Sequence, residues 1–423
     1  MKNTLTFILL LTVLSVQAQL ADHIYQPNIY TVKLFKYGDI YSYPVMKLNG
    51  GDQLELHFDD MDADVKNYYY GFQLCNADWS PSTLQSFDYI RGFQSTRITT
   101  YRSSSISNTR YTHYQAMLPD RSSVPTRSGN YLLKVFLNND TSQLLFTKRF
   151  LIVDAKVSVA AQMLQPFNIQ LSRTDQRVQV SVSTVNSQVN TMSPQDLKVV
   201  VLQNNIWPSA VTVNRPTIYR GNYYEYNDDA TTFPAGREWR WVDLRSMRLM
   251  GDRVQKIVDS SKRTEIYVKP DAERRGQIYV YYRDLNGVYA IENTDGNNPY
   301  WQSDYGYTHF TYVPPGNQAY AGQDLYIFGE LTNYATDDAS RMVFNEEKGV
   351  YEGTLFLKQG YYNYTYVSLD ASQKNPGHYS FANTEGNFNT AENSYTVLIY
   401  YRAFGARADE LIGYAQVNSV VLR

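Results

Sequence analysis

The sequence predicts an all-β protein built from β-sandwich domains in tandem. Alternation of apolar and polar residues recurs along the chain, as in Gln53–Phe58 and Tyr131–Leu137. Turns rich in Gly, Asn and Asp separate these runs at intervals of about ten residues, which is typical of sandwiches. Tyrosine is unusually frequent, with 39 residues against 18 Phe and 5 Trp, and its amphipathic ring favours strands.

Length and composition bound the number of domains and the kind of partner. A chain of 423 residues exceeds one ordinary domain of ~100–200 residues, so we expect several. The hydrophobic share of 43% and the charged share of 19% indicate a globular protein. The formal net charge of -2 provides no strong attraction for nucleic acid or for an anionic membrane.

Changes of pattern divide the chain into three predicted sandwiches of the immunoglobulin-like or fibronectin-like kind. We expect an N-terminal domain over residues 19–155 and a middle domain over residues 156–313. The prolines of Val313–Gly316 end a strand and begin a linker. The C-terminal domain is therefore expected over residues 317–423.

One hairpin is predicted at the end of the middle block. The strand-like runs Ile278–Arg283 and Val288–Glu292 flank a turn that contains Asn286 and Gly287. Asn-Gly is the strongest short-range hairpin signal, because both residues tolerate the positive φ that the turn requires.

The N-terminus has the features of a signal peptide. Met1-Lys2-Asn3 is a short basic start, and Thr4–Val16 is an apolar run too short to span a bilayer. Small residues at Val16 and Ala18 predict cleavage after Ala18. Gln19, and not Cys, follows, so no lipid anchor is indicated. We expect an exported protein without a membrane span.

The usual catalytic and metal-binding motifs do not occur in the sequence. There is no phosphate-binding glycine loop, no His-Glu-x-x-His, no paired Cys and no Gly-x-Ser-x-Gly. Cys75 follows a strand-like run and is expected to be a buried small hydrophobe. We therefore assign no catalytic, cofactor or metal residue and expect no enzyme, although a glycan hydrolase with an unrecognised carboxylate pair remains an alternative.

The acidic run Asp59–Asp64 is the one pattern that suggests a cation. Alternating carboxylates begin a calcium loop. Counting from Asp60, however, Val65 stands where a Gly is needed and Gly71 where a bidentate Glu is needed. A solvated loop between two strands is the preferred interpretation.

The third block is similar to the sandwich modules that bind starch and glycogen. A strand ending at Phe328-Gly329 precedes the strand Gly360–Tyr366, and Tyr334 lies where such modules commonly carry a stacking Trp. Much of this pattern is required by an immunoglobulin-like sandwich alone. A carbohydrate-binding accessory protein, using aromatic surfaces of this domain, is the alternative function.

Two segments of the first block are more specific. They are Tyr70–Ser82, which contains Asn76-Ala77-Asp78-Trp79, and Ser107–Tyr114, followed by Leu118-Pro119 and Ser128–Tyr131. Together they resemble the Plug protein family of the type IX secretion system of the Bacteroidetes. Physically, Asn76 and Asp78 are expected to start a turn and Trp79 to anchor it on the core.

Later segments extend the resemblance over nearly the whole mature chain. Phe233–Gly236 leads into Arg237–Arg240, where Arg237 replaces the family's Asn and Trp239 its Phe. Asp409–Tyr414, with Asn418-Ser419, also fits the family.

The resemblance implies a periplasmic accessory subunit that binds another protein. Such a subunit seals the periplasmic opening of the giant outer-membrane translocon barrel when no cargo is passing. The implied partner is that barrel, with no nucleic acid and no direct membrane span. A contact of this kind is expected to have aromatic and Arg residues near its centre, but the sequence leaves the interface residues unknown.

Overall fold

The computed structural model describes residues 21–260, 263–372 and 378–420. The predicted signal peptide over residues 1–18 lies outside them. Within the described residues the chain forms strands and short 3-10 helices, which confirms the prediction of an all-β sandwich protein. No helix in this part of the chain has the length and hydrophobicity needed to cross a bilayer. The 3-10 helices are Ser86–Asp88, Pro194–Asp196, Trp207–Ser209, Asp229–Thr231, Pro315–Asn317 and Glu330–Thr332.

The first domain is a sandwich of two sheets. One sheet has the strand order β1-β3-β8-β7 and the other β2-β11-β10-β4-β6. Leu56 and Phe58 of one sheet pack against Tyr131, Leu133 and Phe146 of the other. Its strands are β1 (Ile29–Lys36), β2 (Val45–Lys47), β3 (Leu54–Asp60), β4 (Tyr68–Cys75), β5 (Ile90–Gly92), β6 (Ser95–Arg97), β7 (Thr100–Ser103), β8 (Thr112–Leu118), β9 (Ser123–Pro125), β10 (Gly129–Leu137) and β11 (Leu144–Val153).

The next seven strands follow in sequence but do not complete a sandwich alone. One sheet has the order β12-β13-β17-β16, with β18 also paired to β13, and β14 pairs with β15 in a second. These strands are β12 (Ser158–Leu164), β13 (Asp175–Ser183), β14 (Leu197–Gln203), β15 (Val211–Val213), β16 (Ile218–Arg220), β17 (Tyr223–Tyr226) and β18 (Thr232–Pro234).

A third domain interrupts this middle sandwich. It is a ten-stranded sheet that encloses one core containing Phe310, Tyr312, Tyr364 and Tyr366. Its strands are β19 (Arg240–Asp243), β20 (Val254–Asp259), β21 (Thr264–Val268), β22 (Asp271–Ala272), β23 (Tyr289–Ala290), β24 (Tyr305–Val313), β25 (Gln323–Phe328), β26 (Arg341–Asn345), β27 (Val350–Lys358) and β28 (Tyr361–Asp370). We call it the inserted domain.

The last two strands return to the middle sandwich. They are β29 (Ser394–Tyr401) and β30 (Glu410–Asn418), and β29 pairs with β14 along seven residues. Val199 and Ile399 thus share one core with Val180 of the facing sheet.

Strand pairing therefore differs from the predicted division into residues 156–313 and 317–423. β24, which precedes the Pro314-Pro315 pair, forms an antiparallel ladder with β27 beyond it. The prolines mark a turn inside the inserted domain and not a linker between domains. Local composition cannot show this, because a ladder joins residues regardless of their separation in sequence.

The predicted hairpin around Asn286 is also different in the structure. Asn286 and Gly287 have positive φ, as the turn signal predicts. Residues 278–283, however, form no strand, and Tyr289 and Ala290 pair instead with β28. The prediction of the turn is therefore confirmed, but the predicted strand before it, residues 278–283, is not paired with another strand.

The insertion predicts which strands respond when the end of the chain is weakened. Ile399→Ala removes a fully buried side chain and should cost about 2–5 kcal/mol. Hydrogen exchange should accelerate in β13 and β14 more than in β27. Leu325→Ala, in the core of the inserted domain, is the matched control and should show the reverse order. Loosening of β27 by Ile399→Ala would contradict the insertion.

Candidate partner-binding surface

The first sheet of the first domain is covered on both faces. Along β3, Leu54, Leu56 and Phe58 point into the sandwich core. The alternate residues His57 and Asp59 point to the opposite face, and both are buried. The inserted domain packs on that face, so these polar side chains lie between two domains.

Asp59 is the centre of the contact between these domains. Its carboxylate accepts hydrogen bonds from Lys358 Nζ at 2.5 Å and from the Tyr305 hydroxyl at 2.5 Å, both from the inserted domain. Its other oxygen lies 2.7 Å from His113 Nδ1, and His113 Nε2 lies 2.9 Å from His57 Nδ1. Burial alone would raise the pKa of Asp59, but Lys358 and His113 hold it below its ordinary value.

Further bonds cross the same boundary. Lys33 of β1 forms a 2.6 Å ion pair with Glu330 of the inserted domain. The Tyr111 hydroxyl donates to the carbonyl of Ser303 at 2.7 Å. The imidazole of His57 stacks on the Tyr300 ring with 3.9 Å between centroids. The relative orientation of the two domains is therefore fixed by buried, specific contacts.

The turn Asn76–Trp79 joins the first domain to the middle sandwich. The backbone N–H of Ala77 donates to Asp409 Oδ2 at 3.0 Å, and Arg402 Nε donates to Asp409 Oδ1 at 2.7 Å. Trp79 has a positive φ of 64°, and its indole meets Trp207 edge-on at 4.8 Å. Asn76 and Asp78 thus start a turn as predicted, since the Trp79 N–H donates to the Asn76 carbonyl at 2.9 Å and the Ser80 N–H donates to Asp78 Oδ1 at 3.0 Å. Trp79 packs against Trp207 of the neighbouring domain.

A third buried charge cluster holds the inserted domain together. Arg240 donates to Asp271 at 2.7 Å and to Glu385 at 2.9 Å. Arg274 donates to Glu385 at 2.5 Å. Burial alone would raise the pKa of Glu385, but the two guanidinium groups lower it to about 2.

Three exposed phenylalanines lie on the first domain and on the loop that follows β29, while a fourth, Phe167, is 65% exposed between β12 and β13. Phe87 is 70% exposed, Phe93 is 69% exposed and Phe404 is 94% exposed. Phe87 and Phe93 flank β5 of the first domain, and Phe404 lies in the loop between β29 and β30.

Hydrogen bonds connect the segments that carry these rings. Thr83 Oγ1 donates to the carbonyl of Arg407 at 3.4 Å, and an Arg407 guanidinium N–H donates back to the Thr83 carbonyl. The N–H of Phe93 donates to the carbonyl of Ser122 at 2.7 Å. Gly92 permits this approach, because a Cβ there would lie 2.0 Å from that carbonyl and its φ is +99°.

Exposed arginines lie on the same segments as the three rings. We call this set of exposed phenylalanines and arginines, which comes from the chain around β5 and β9 and from the loop between β29 and β30, the phenylalanine-arginine surface. Aromatic and Arg side chains are enriched at the centres of protein interfaces. The surface consists of Phe87, Arg91, Phe93, Arg121, Arg127, Phe404 and Arg407.

Comparison with known proteins places the chain in a family. Residues 29–154 match the family described as "Type 9 secretion system plug protein 1st domain". The first domain of the chain belongs to the type 9 secretion system plug protein family. The sequence resemblance is thereby confirmed, and with it a role related to type IX secretion and a periplasmic setting.

A solved relative of this chain has the same fold. The crystal structure of a hypothetical protein from Parabacteroides merdae ATCC 43184, at 2.30 Å resolution, is 30% identical with a TM-score of 0.90. The match covers 95% of this chain and 100% of that one. A match to native E. coli alpha-2-macroglobulin has a TM-score of 0.17 and supports no argument. No curated protein matches the chain.

The plug family segments lie at joints and not on the phenylalanine-arginine surface. Asn76–Trp79 and Asp409 join the first domain to the middle sandwich, and His113 lies at the inserted domain. Arg240 lies in the core of the inserted domain. Asn418 and Ser419 hold the turn before β29. These residues specify how the plug protein is assembled.

The other residues singled out in the sequence have structural positions. Cys75 is buried, as predicted, and burial raises its pKa to about 12. Asp59 and Asp60 are buried in β3, so the interpretation of the acidic run as a wholly solvated loop is wrong for these two. Lys66 Nζ lies among the carboxylates of Asp60, Asp62 and Asp64 and supplies the cation that they require.

Tyr334 is half-buried and packs against two aromatic neighbours. Its ring meets Trp239 and Phe328 edge-on, at 6.4 Å and 5.6 Å between centroids. It lines a cavity of 500 Å³ where the three domains meet.

No local sequence pattern indicates the pairing of His57 with His113 or the phenylalanine-arginine surface. The two histidines are 56 positions apart, and cross-strand neighbours are set by register alone. An exposed Phe in a loop resembles a core Phe when only the sequence is known.

Lys358→Met tests the joint between the first and inserted domains. It leaves the Asp59 carboxylate buried without its cation, and should lower the free energy of unfolding by about 3–5 kcal/mol. Adding Asp59→Asn should restore part of the loss, since the unpaired charge is gone. Chemical denaturation measures both. A single variant within about 1 kcal/mol of wild type would contradict the role of this pair.

Glu385 should make the plug protein sensitive to acid. Its folded-state pKa is about 2, against an ordinary value of 4.5, so the unfolded chain binds more protons between these values. The stabilisation is present above about pH 4.5 and is lost as the pH falls towards 2, by about 3 kcal/mol. Glu385→Gln should have a lower free energy of unfolding than the wild type at pH 7. Its free energy of unfolding should also fall less than that of the wild type between about pH 4.5 and pH 2.

The exposed Glu346→Gln is the control for that measurement. It should retain the acid profile of the wild type. Identical acid profiles for wild type and Glu385→Gln would show that this ion pair does not contribute.

Proposed function

We propose that this protein binds and seals the periplasmic opening of the type IX secretion system's outer-membrane translocon. It would prevent leakage through the barrel while no cargo is passing. Family membership supports the connection with type IX secretion. The phenylalanine-arginine surface is the observation that carries the docking role, because it is an apolar and cationic surface that the fold leaves uncovered.

A protein that seals a wide opening must keep its shape, because movement between its domains would open a path for solutes. The ion pairs Asp59–Lys358 and Lys33–Glu330 fix the inserted domain to the first domain. Asp409 and the Trp79–Trp207 contact fix the first domain to the middle sandwich. The three domains therefore act as one block, which suits occlusion of a wide opening.

We further propose that the protein is not an enzyme. Asp59, His57 and His113, which are able to transfer protons, are buried between domains and bonded to one another. Glu385 is bonded to two arginines in the core of the inserted domain. General acid-base catalysis needs such groups within reach of a substrate.

The docking role is tested by removing the exposed rings. The triple variant Phe87→Ser, Phe93→Ser and Phe404→Ser should fold as the wild type does, since the rings have little contact with the core. Recovery of the translocon barrel with the tagged protein from native cells should fall at least tenfold, because buried aromatic anchors dominate interfaces of this kind. Outer-membrane permeability to a large antibiotic should rise in the same strain.

The matched control is Leu249→Ser, which removes an equally exposed apolar side chain from the inserted domain. It should leave recovery of the barrel and permeability unchanged. Wild-type recovery by the folded triple variant would exclude the phenylalanine-arginine surface as the contact. Failure of the wild-type protein to recover the barrel would exclude the sealing function itself.

A further inference from the structure

A segment of the inserted domain carries the sequence of a strand without being in a sheet. Ile278-Tyr279-Val280-Tyr281-Tyr282 consists entirely of β-branched and aromatic residues, which have the highest strand propensity. The structure assigns these residues to no strand, although strands lie on both sides of them in sequence. Local preference and local structure therefore disagree at this place.

The disagreement leaves backbone groups available. Within the described residues, the N–H groups from Ile278 to Arg283 donate no hydrogen bond, and the carbonyls from Tyr279 to Arg283 accept none. Elsewhere in the protein such runs are paired in ladders. Unpaired N–H and C=O groups along a β-prone segment are a template for another strand.

The segment is nevertheless held firmly in place. The Tyr279 hydroxyl lies within hydrogen-bond distance of the Glu238 carboxylate and 3.0 Å from the carbonyl of Thr390. Arg274 donates to the Tyr282 hydroxyl at 2.8 Å. Arg237 donates to the carbonyl of Ile278 at 2.6 Å. Anchored side chains with an open backbone reduce the entropy that a binding partner must overcome.

The other side chains of the segment face solvent. Ile278 is 89% exposed and Val280 is 61% exposed, and the Tyr281 ring is exposed as well. Arg283 is also exposed and has no ion-pair partner in the described part of the chain. A strand laid along this segment would cover apolar side chains and meet one uncompensated positive charge.

We propose that residues 278–283 accept an extended segment of another protein by β-strand addition. The incoming segment supplies backbone hydrogen bonds, alternating β-branched apolar side chains that cover Ile278 and Val280, and a carboxylate that pairs with Arg283. This contact is made through the backbone, on a different domain from Phe87 and Phe93. It goes beyond the proposed sealing function and does not depend on it.

Hydrogen exchange with a defined probe tests the proposal. The probe is an acetylated, amidated peptide of alternating Thr and Val with Glu at both ends, added to the full-length mature protein. In the free protein the amides from Ile278 to Arg283 should exchange at unprotected rates. Addition of the probe at about 1 mM should slow their exchange at least tenfold, since strand pairing engages them.

Variants of the probe and of the protein show whether protection comes from backbone pairing, from apolar contact or from the charge of Arg283. A probe with Pro in place of each Val lacks the required N–H groups and should give no protection. Ile278→Ser with Val280→Ser, which keeps both tyrosine anchors, should weaken binding at least tenfold, while Leu249→Ser should not. Replacing Glu by Lys in the probe should weaken binding, and Arg283→Ala should abolish that difference.

Three outcomes would overturn the proposal. They are the absence of protection by the probe, equal protection by the proline probe, and protection of these amides in the free protein. A concentration-dependent dimer that protects the same amides would assign the segment to a second copy of the chain instead.

Discussion

The ion pair between Asp59 and Lys358 is the constraint on which the assembly depends. Both side chains are almost fully buried, and removing two charges from water is expensive unless geometry and additional hydrogen bonds compensate. Tyr305 and His113 provide those bonds to Asp59. Any displacement of the inserted domain would leave two buried charges without partners. This contact therefore permits one orientation only and prevents the inserted domain from sliding over the first domain.

The route of the chain reinforces that constraint. The inserted domain leaves the middle sandwich after β18 and returns to it at β29, so it has two connections where a tandem domain would have one. The two connecting segments are bonded to each other, since the N–H of Phe388 donates to the carbonyl of Gly236 at 3.0 Å. Asn393 also donates to the Ala235 carbonyl at 2.9 Å. A double connection that is itself cross-linked resists hinge motion, which is the property that a seal requires.

How much of this could be read from the sequence depends on the range of the interaction. Alternation in Gln53–Phe58 predicts β3, and a lone Cys75 after a strand-like run predicts its burial, because both signals are local. The pairing of β29 with β14 joins residues about two hundred positions apart, and no local pattern records it. For the same reason the sequence does not show the cluster around Asp59, because its members come from four separate strands or loops. Exposure of Phe87 could not be predicted either, since apolar residues in a loop are ordinarily taken as core.

The protein places its charges and its apolar rings in an unusual distribution. Buried carboxylates such as Asp59, Asp409 and Glu385 fix one domain to another or hold a core together, although apolar packing would avoid the free-energy cost of removing charges from water. Exposed rings such as Phe87, on a short 3-10 helix, and Phe404, on a loop, contribute little to the core. The two features support one interpretation, because directional charge pairs fix the geometry of a block and leave its apolar side chains free for a partner. An apolar contact between the domains would hold them together equally well, but it would tolerate alternative orientations. Separate segments such as those of Phe93 and Phe404 would then not keep the fixed relative positions that binding to a single partner requires.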